Sequence, residues 1–164
     1  MSAAASYFVR LDEHRYRPTS LTGGAWAAAE QHISPLNGLI VHAVERYCAG
    51  RGPDGMAISR ISVDILGVLG FEPFALEVAP VRPGRTIELL EAVVASAGRP
   101  AVRARVWRSI VQDTGRVAGG EAEPLWGPER LEPMEPTGVW SGGYIRSLEV
   151  RPIGALKSGR GATG

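Results

Sequence analysis

Cysteine is all but absent: Cys48 is the single one among 164 residues, so neither an intrachain disulfide nor a zinc site built on paired cysteines can form. No apolar run approaches the roughly 20 residues that a membrane-spanning helix needs. An excess of one charge is lacking too. Lys plus Arg number 18 and Asp plus Glu 17, which leaves no global field to draw nucleic acid or an anionic membrane as a partner. The first ten residues have neither the basic start nor the long apolar centre of a secretory signal. No P-loop, dinucleotide fingerprint, catalytic triad or metal-ligand pattern appears. The expectation is a cytoplasmic protein with one real core and no bound metal.

What is present begins with one convincing helix. Ser34 reads as its N-cap, Pro35 suits the first turn, and Gly50 offers a left-handed end, so the helix is expected from about Pro35 to Ala49. Leu36, Leu39, Ile40, Ala43, Val44 and Tyr47 make its stripe, which Val41 and Cys48 widen beyond one face. Such a helix must be wrapped, and the remaining sequence offers strands to do it. Cys48 reads as a small core residue. His42, Glu45 and Arg46 share one helical face and read as its solvated or partner-facing stripe rather than as a metal cluster.

Two short extended pieces, Tyr7 to Leu11 and His14 to Pro18, flank Asp12-Glu13 as a hairpin. Trp26 to His32 reads as a helical turn, and Arg51 to Gly55 as a loop. Alternation then marks strands at Ala57 to Leu66, Phe74 to Arg82, Arg85 to Ser96 and Ala101 to Gln112, broken by Pro83-Gly84 and by Ala97 to Pro100. In the first of these, Ile61, Val63 and Ile65 fall on one face, and Ile58, Arg60 and Asp64 on the other. Trp26 and Trp107 read as core or interface packing. The fold class is α+β: one long helix against one face of a curved antiparallel sheet. Residues 1–116 hold this unit and 117–143 form a Pro/Glu-rich linker or strap anchored by Trp126 and Leu131. Residues 144–164 are the opening strand of a second, incomplete unit or a tail.

The order Trp26, Gln31-His32, apolar helix, Arg60-Ile-Ser-Val-Asp-Ile-Leu66, Val81-Arg-Pro-Gly-Arg-Thr-Ile-Glu-Leu89 and Gly98-Arg-Pro-Ala-Val-Arg-Ala-Arg105 resembles the N-terminal half of the thioesterase-like superfamily related to acyl-CoA thioesterase II. The resemblance covers residues 6 to 112. It implies a hotdog fold, a sheet wrapped around a central helix, and hydrolysis of an acyl-CoA thioester with coenzyme A entering only as part of the substrate. The alternative is a non-catalytic hotdog module that binds or scaffolds acyl thioesters, with hydratase or isomerase chemistry a distant third. In the better understood double-hotdog members the catalytic carboxylate, hydroxyl and amide belong to a second module, and no segment here matches them. The chain also has His32-Ile33-Ser34 where members commonly have His-Gly-Gly.

Within that framework the free amides at the amino end of the helix are the expected oxyanion donors, helped by the helix dipole. Gln31, Ser34, Asn37 and Gly38 are therefore the substrate-binding candidates, and His32 the catalytic candidate beside them. Asp64, a carboxylate in an apolar strand, is the second catalytic candidate. Its plainer reading pairs it with Arg60 or an arginine of the next strand, as alternation favours. Arg82 and Arg85 are candidates for the phosphates of coenzyme A, with weaker support for Arg103, Arg105 and Arg108. An unpaired edge strand further implies a homodimer or higher homo-oligomer.

Overall fold

The computed structural model describes residues 6–24, 26–120, 122–136 and 141–154. Strands β1 (Phe8–Arg10) and β2 (Arg15–Pro18) form the expected hairpin, its turn held by Asp12, whose Oδ1 accepts from the His14 and Arg15 amides. Helix α1 (Ile33–Ala49) follows, and then strands β3 (Met56–Ile65), β4 (Phe74–Arg82), β5 (Ile87–Ser96) and β6 (Arg99–Ile110). All pairings are antiparallel, in the order β1-β2-β4-β5-β6-β3. The β5 to β6 turn is the two-residue Ala97-Gly98, both at positive φ, as a hairpin twisting with its strands requires.

Strand alternation decides which side chains meet the helix. Phe74 and Leu76 of β4, Leu90, Ala92 and Val94 of β5, and Val102, Ala104 and Val106 of β6 join Leu36, Leu39, Ile40, Val44 and Cys48 in one core cluster. The helix stripe is thus the expected one, and Cys48 is the small core residue it was read to be. His42, Glu45 and Arg46 are exposed. Register shifts that leave an extra residue in β3, β4 and β6 mark bulges that bend the sheet. The result is the hotdog arrangement, a curved sheet around one long helix.

Several local expectations change. The helix begins earlier, with His32 as N-cap, because its Nδ1 accepts the Ser34 amide at 3.2 Å; Pro35 then sits within the first turn, where no i−4 bond is lost. Gly50 stays right-handed, and the left-handed residue is Gly52, whose amide bonds the Ala49 carbonyl. Residues 26–32 form no helix; they reverse through a turn closed by the Glu30 amide on Ala27 O and a bridge between Gly23 and Gln31. The bulge between Ile58 and Arg60 swaps the phase of β3, so Ile58 joins Val63 against the core. Trp26, expected in the core or at an interface, is exposed and so lies outside the core, and Trp126, expected to anchor the strap, is exposed as well. Finally, Tyr144 to Arg151 is no strand: it opens with a helical turn, α2 (Gly143–Arg146), and only Val150 makes a bridge, to Met134. Residues 155–164 of the anticipated terminal segment lie outside the described residues.

Candidate functional site at the amino end of the helix

The stretch entering α1 is fixed residue by residue. Gly24 N donates to Glu30 O at 2.7 Å, His32 N to Thr22 O at 2.7 Å, and Gln31 N to Leu69 O at 2.9 Å. The Gln31 side chain then reaches across, its Nε2 donating to Gly70 O at 2.6 Å. These bonds tie the segment before the helix to the segment that leaves β3. Between the two lies a cavity of about 440 Å³, lined on one side by Glu30, Gln31 and His32 and on the other by Ile65, Leu66, Val68 and Leu69. Trp26, Ile33 and Leu36 also face it, and Trp26, Ile65, Leu66 and Val68 are exposed large apolar side chains. A concave apolar wall with a few polar groups at one edge is the ordinary form of a small-molecule site.

The first turn of the helix offers fewer donors than its length promises. The His32 amide is taken by Thr22 O, the Ser34 amide by the His32 ring, and Pro35 has none. Among the described residues the Ile33 N–H is the one left without a partner, and Ile33 lines the cavity. His32 itself is oriented from two sides. Because its Nδ1 accepts a hydrogen bond, the neutral ring carries its proton on Nε2. One face of that ring meets Tyr144 of α2, with ring centroids 4.6 Å apart.

Of the residues anticipated from sequence, Gln31 and His32 therefore line the cavity together. Ser34, Asn37 and Gly38 do not, and a Cβ on Gly38 would meet nothing within 4 Å. Asp64 lies between Val63, which packs on the core, and Ile65, which lines the cavity, so it projects from the opposite face of β3. There it is exposed and in register with Arg103. Arg82 and Arg85 are exposed beside the β4 to β5 turn, where Arg85 shares a cleft with Arg51 and Asp54 beyond the carboxyl end of α1. The 17-residue helix, about 25 Å long, has the cavity at its amino end and this cleft beyond its carboxyl end.

Of the other anticipated arginines, Arg105 is exposed, while Arg108 and Arg103 have acidic partners. Arg108 is buried and donates to Asp54 Oδ2 and Glu88 Oε2, both at 2.8 Å, while Arg51 donates to Glu88 Oε1 at 2.7 Å. Arg103 stands 3.7 Å from Glu91. Glu30 is the cavity residue that sequence reading missed. It sits in an Ala-rich stretch read as helical, where nothing local marks a carboxylate as facing a site.

A family model of the acyl-CoA thioesterase N-terminal domain matches residues 22–109. No curated protein matches the chain in sequence. Among solved structures, a hot dog fold protein of unknown function from Alicyclobacillus acidocaldarius superposes with a TM-score of 0.68 at 11% identity, over 90% of this chain and 53% of that one. The tesB protein of Mycobacterium avium subspecies paratuberculosis gives 0.54 at 17% identity, over 75% and 46%. A Bacillus halodurans protein crystallised with CoA gives 0.52 at 14% identity, over 60% and 66%. The chain spans about half the length of the first two.

Proposed function

The chain belongs to the acyl-CoA thioesterase N-terminal domain family, and from that membership we propose that it binds an acyl-CoA with the thioester at the amino end of α1 and hydrolyses it to free acid and coenzyme A. The observation that carries this reading is the cavity in which the polar Gln31-His32 edge and the free Ile33 amide meet the apolar Ile65 to Leu69 wall. An acyl tail has a surface to lie on, and a thioester carbonyl has hydrogen-bond donors within the same space. The CoA-bound Bacillus halodurans structure supports a ligand of this class on this fold. Coenzyme A arrives with the substrate, and no further cofactor is invoked. Arg82 and Arg85 are not assigned to that substrate within one chain, since the helix stands between them and the cavity. A second copy pairing along β3 is part of the proposal, because β3 is an edge strand with one neighbour and exposes Ile61 and Ile65.

The test is thiol release from a chain-length series of acyl-CoAs, with Val68→Glu placing a charge in the apolar wall. Hydrolysis is expected in the wild type, and Val68→Glu is expected to raise KM by about tenfold or more, increasingly with chain length, as each lost methylene contact is worth about 0.8 kcal/mol. Absence of thiol release at every length, with acyl-CoA still raising the melting temperature, would replace hydrolysis by the binding-module reading.

A further inference from the structure

We propose that Glu30 is the general base of this hydrolysis, removing the proton of the attacking water; the assignment rests on the thioesterase reading above. Among the described residues, Glu30 is the one carboxylate-bearing residue that lines the cavity. Its backbone is held on both sides, the amide on Ala27 O at 3.1 Å and the carbonyl by Gly24 N at 2.7 Å, so the residue is positioned by the same bonds that position Gln31 and His32. Its carboxylate makes no hydrogen bond or ion pair among the described residues. That distinguishes it from the half-buried and buried acids elsewhere: Glu88 is bonded by Arg51 and Arg108, and Glu91 faces Arg103. Glu30 is half-buried and shares the cavity lining with Trp26, Leu36 and Leu66, so a carboxylate engaged by no cation among the described residues is available to a water held there.

The chemistry closes on residues that share this cavity. Glu30 takes a proton from water as the water oxygen bonds to the thioester carbon. The carbonyl oxygen then carries the negative charge, facing the Ile33 N–H and the Nε2–H of His32 as donors. When the intermediate collapses, the C–S bond breaks and the proton held by Glu30 passes to the departing thiolate. One water is consumed, one acid and one thiol form, and the carboxylate is regenerated. Asp64 has no part in this sequence, because it stands on the other face of β3.

The decisive comparison is wild type against Glu30→Gln, Glu30→Ala, Asp64→Asn and the exposed outer-face control Glu77→Gln, each assayed for thiol release and for stabilisation by acyl-CoA. Loss of a positioned base is expected to lower kcat by about 10²–10⁴-fold in Glu30→Gln, with KM changed by less than about threefold. Acyl-CoA should still raise the melting temperature of that variant, which separates lost chemistry from lost folding. Formate should restore part of the Glu30→Ala rate by supplying the missing carboxylate. A Glu30→Gln enzyme within about threefold of wild-type kcat, or a loss that falls on Asp64→Asn instead, overturns the assignment while leaving thioester hydrolysis intact. A wild type without thiol release overturns both.

Discussion

Arg108 and Glu88 continue the inward-facing rows of β6 and β5 but are charged, and they are only 5% and 3% exposed. They are tolerable there because the loop after α1 folds back over them: Arg51 donates twice to Glu88, and Asp54 accepts twice from Arg108. The Arg108 guanidinium and the Met56 amide hold Asp54 down to about 2, and hydrogen bonds from Arg51 and then Arg108 lower Glu88 despite its burial. Both folded values lie below the unfolded ones. Their stabilisation is therefore complete above the ordinary carboxylate range near pH 4 and is lost on acidification, for Asp54 as pH falls through about 2. Thermal melts across that window should show a steep decline in wild type and a shallower one in Asp54→Asn. Glu88→Met, which leaves Arg108 with Asp54 as its one carboxylate partner among the described residues, should cost about 3 kcal/mol in urea unfolding at neutral pH. Equal acid sensitivity in wild type and Asp54→Asn would show that the cluster is not what the acid limb reports. The sequence marks Arg108 only as one more strand arginine, since its partners come from residues 20 and 54 positions away.

At the scale of elements, the segment that returns after residue 140 explains why His32 is held so firmly. Gly142 adopts a φ of +117°, and a Cβ on Gly143 would fall 1.8 Å from Ser20 O, so this stretch lies directly on the turn that precedes the cavity. Tyr144 N donates to Gly23 O at 3.2 Å, and Tyr7 and Ser147 share a hydrogen bond at 2.7 Å between their hydroxyls. Gly143→Ala is expected to lift the segment off and remove the Tyr144 to His32 ring contact. NMR should show this as a shift of the His32 ring protons, with a stability loss of about 1–3 kcal/mol and unchanged sheet content. An unshifted His32 spectrum would mean that the contact does not orient the ring. The alternation of Tyr144 to Arg151 resembles a strand on paper. What prevents one is the docking of two glycines onto carbonyls more than a hundred residues earlier, which no local pattern encodes.

For the whole molecule, the free side of β3 sets the expected assembly. Ile61 and Ile65 are exposed along it, and Val41, Val44 and Cys48 of α1 line a cleft with Ile58 and Ile61 of β3. A second copy along this edge would pair the open backbone and cover those side chains. Light scattering at micromolar concentration should give a dimer or larger, and Ile61→Lys should shift it toward monomer, since a lysine on an edge strand resists pairing. A monodisperse wild-type monomer would remove the assembly from the proposal. Separately, no helix among the described residues is long and apolar enough to cross a membrane.

The long strands and the central helix could be read from the amino acids themselves, because periods of 2 and 3.6 are written locally and Pro83-Gly84 and Ala97-Gly98 punctuate them. The β4-β5-β6 meander follows from those turns. The pairings of β2 with β4 and β3 with β6 join strands that are not neighbours in sequence, and only the folded chain decides them. The same holds for the candidate site. Gln31 and His32 were legible beside a helix start, but the cavity exists because Gln31 bonds Leu69 and Gly70 and so brings an apolar wall against a polar edge. That closure sets Glu30 at the cavity, and the pleat of β3 turns Asp64 away from it. Periodicity fixes which face a residue takes within its own element, whereas long-range hydrogen bonds determine what that face meets.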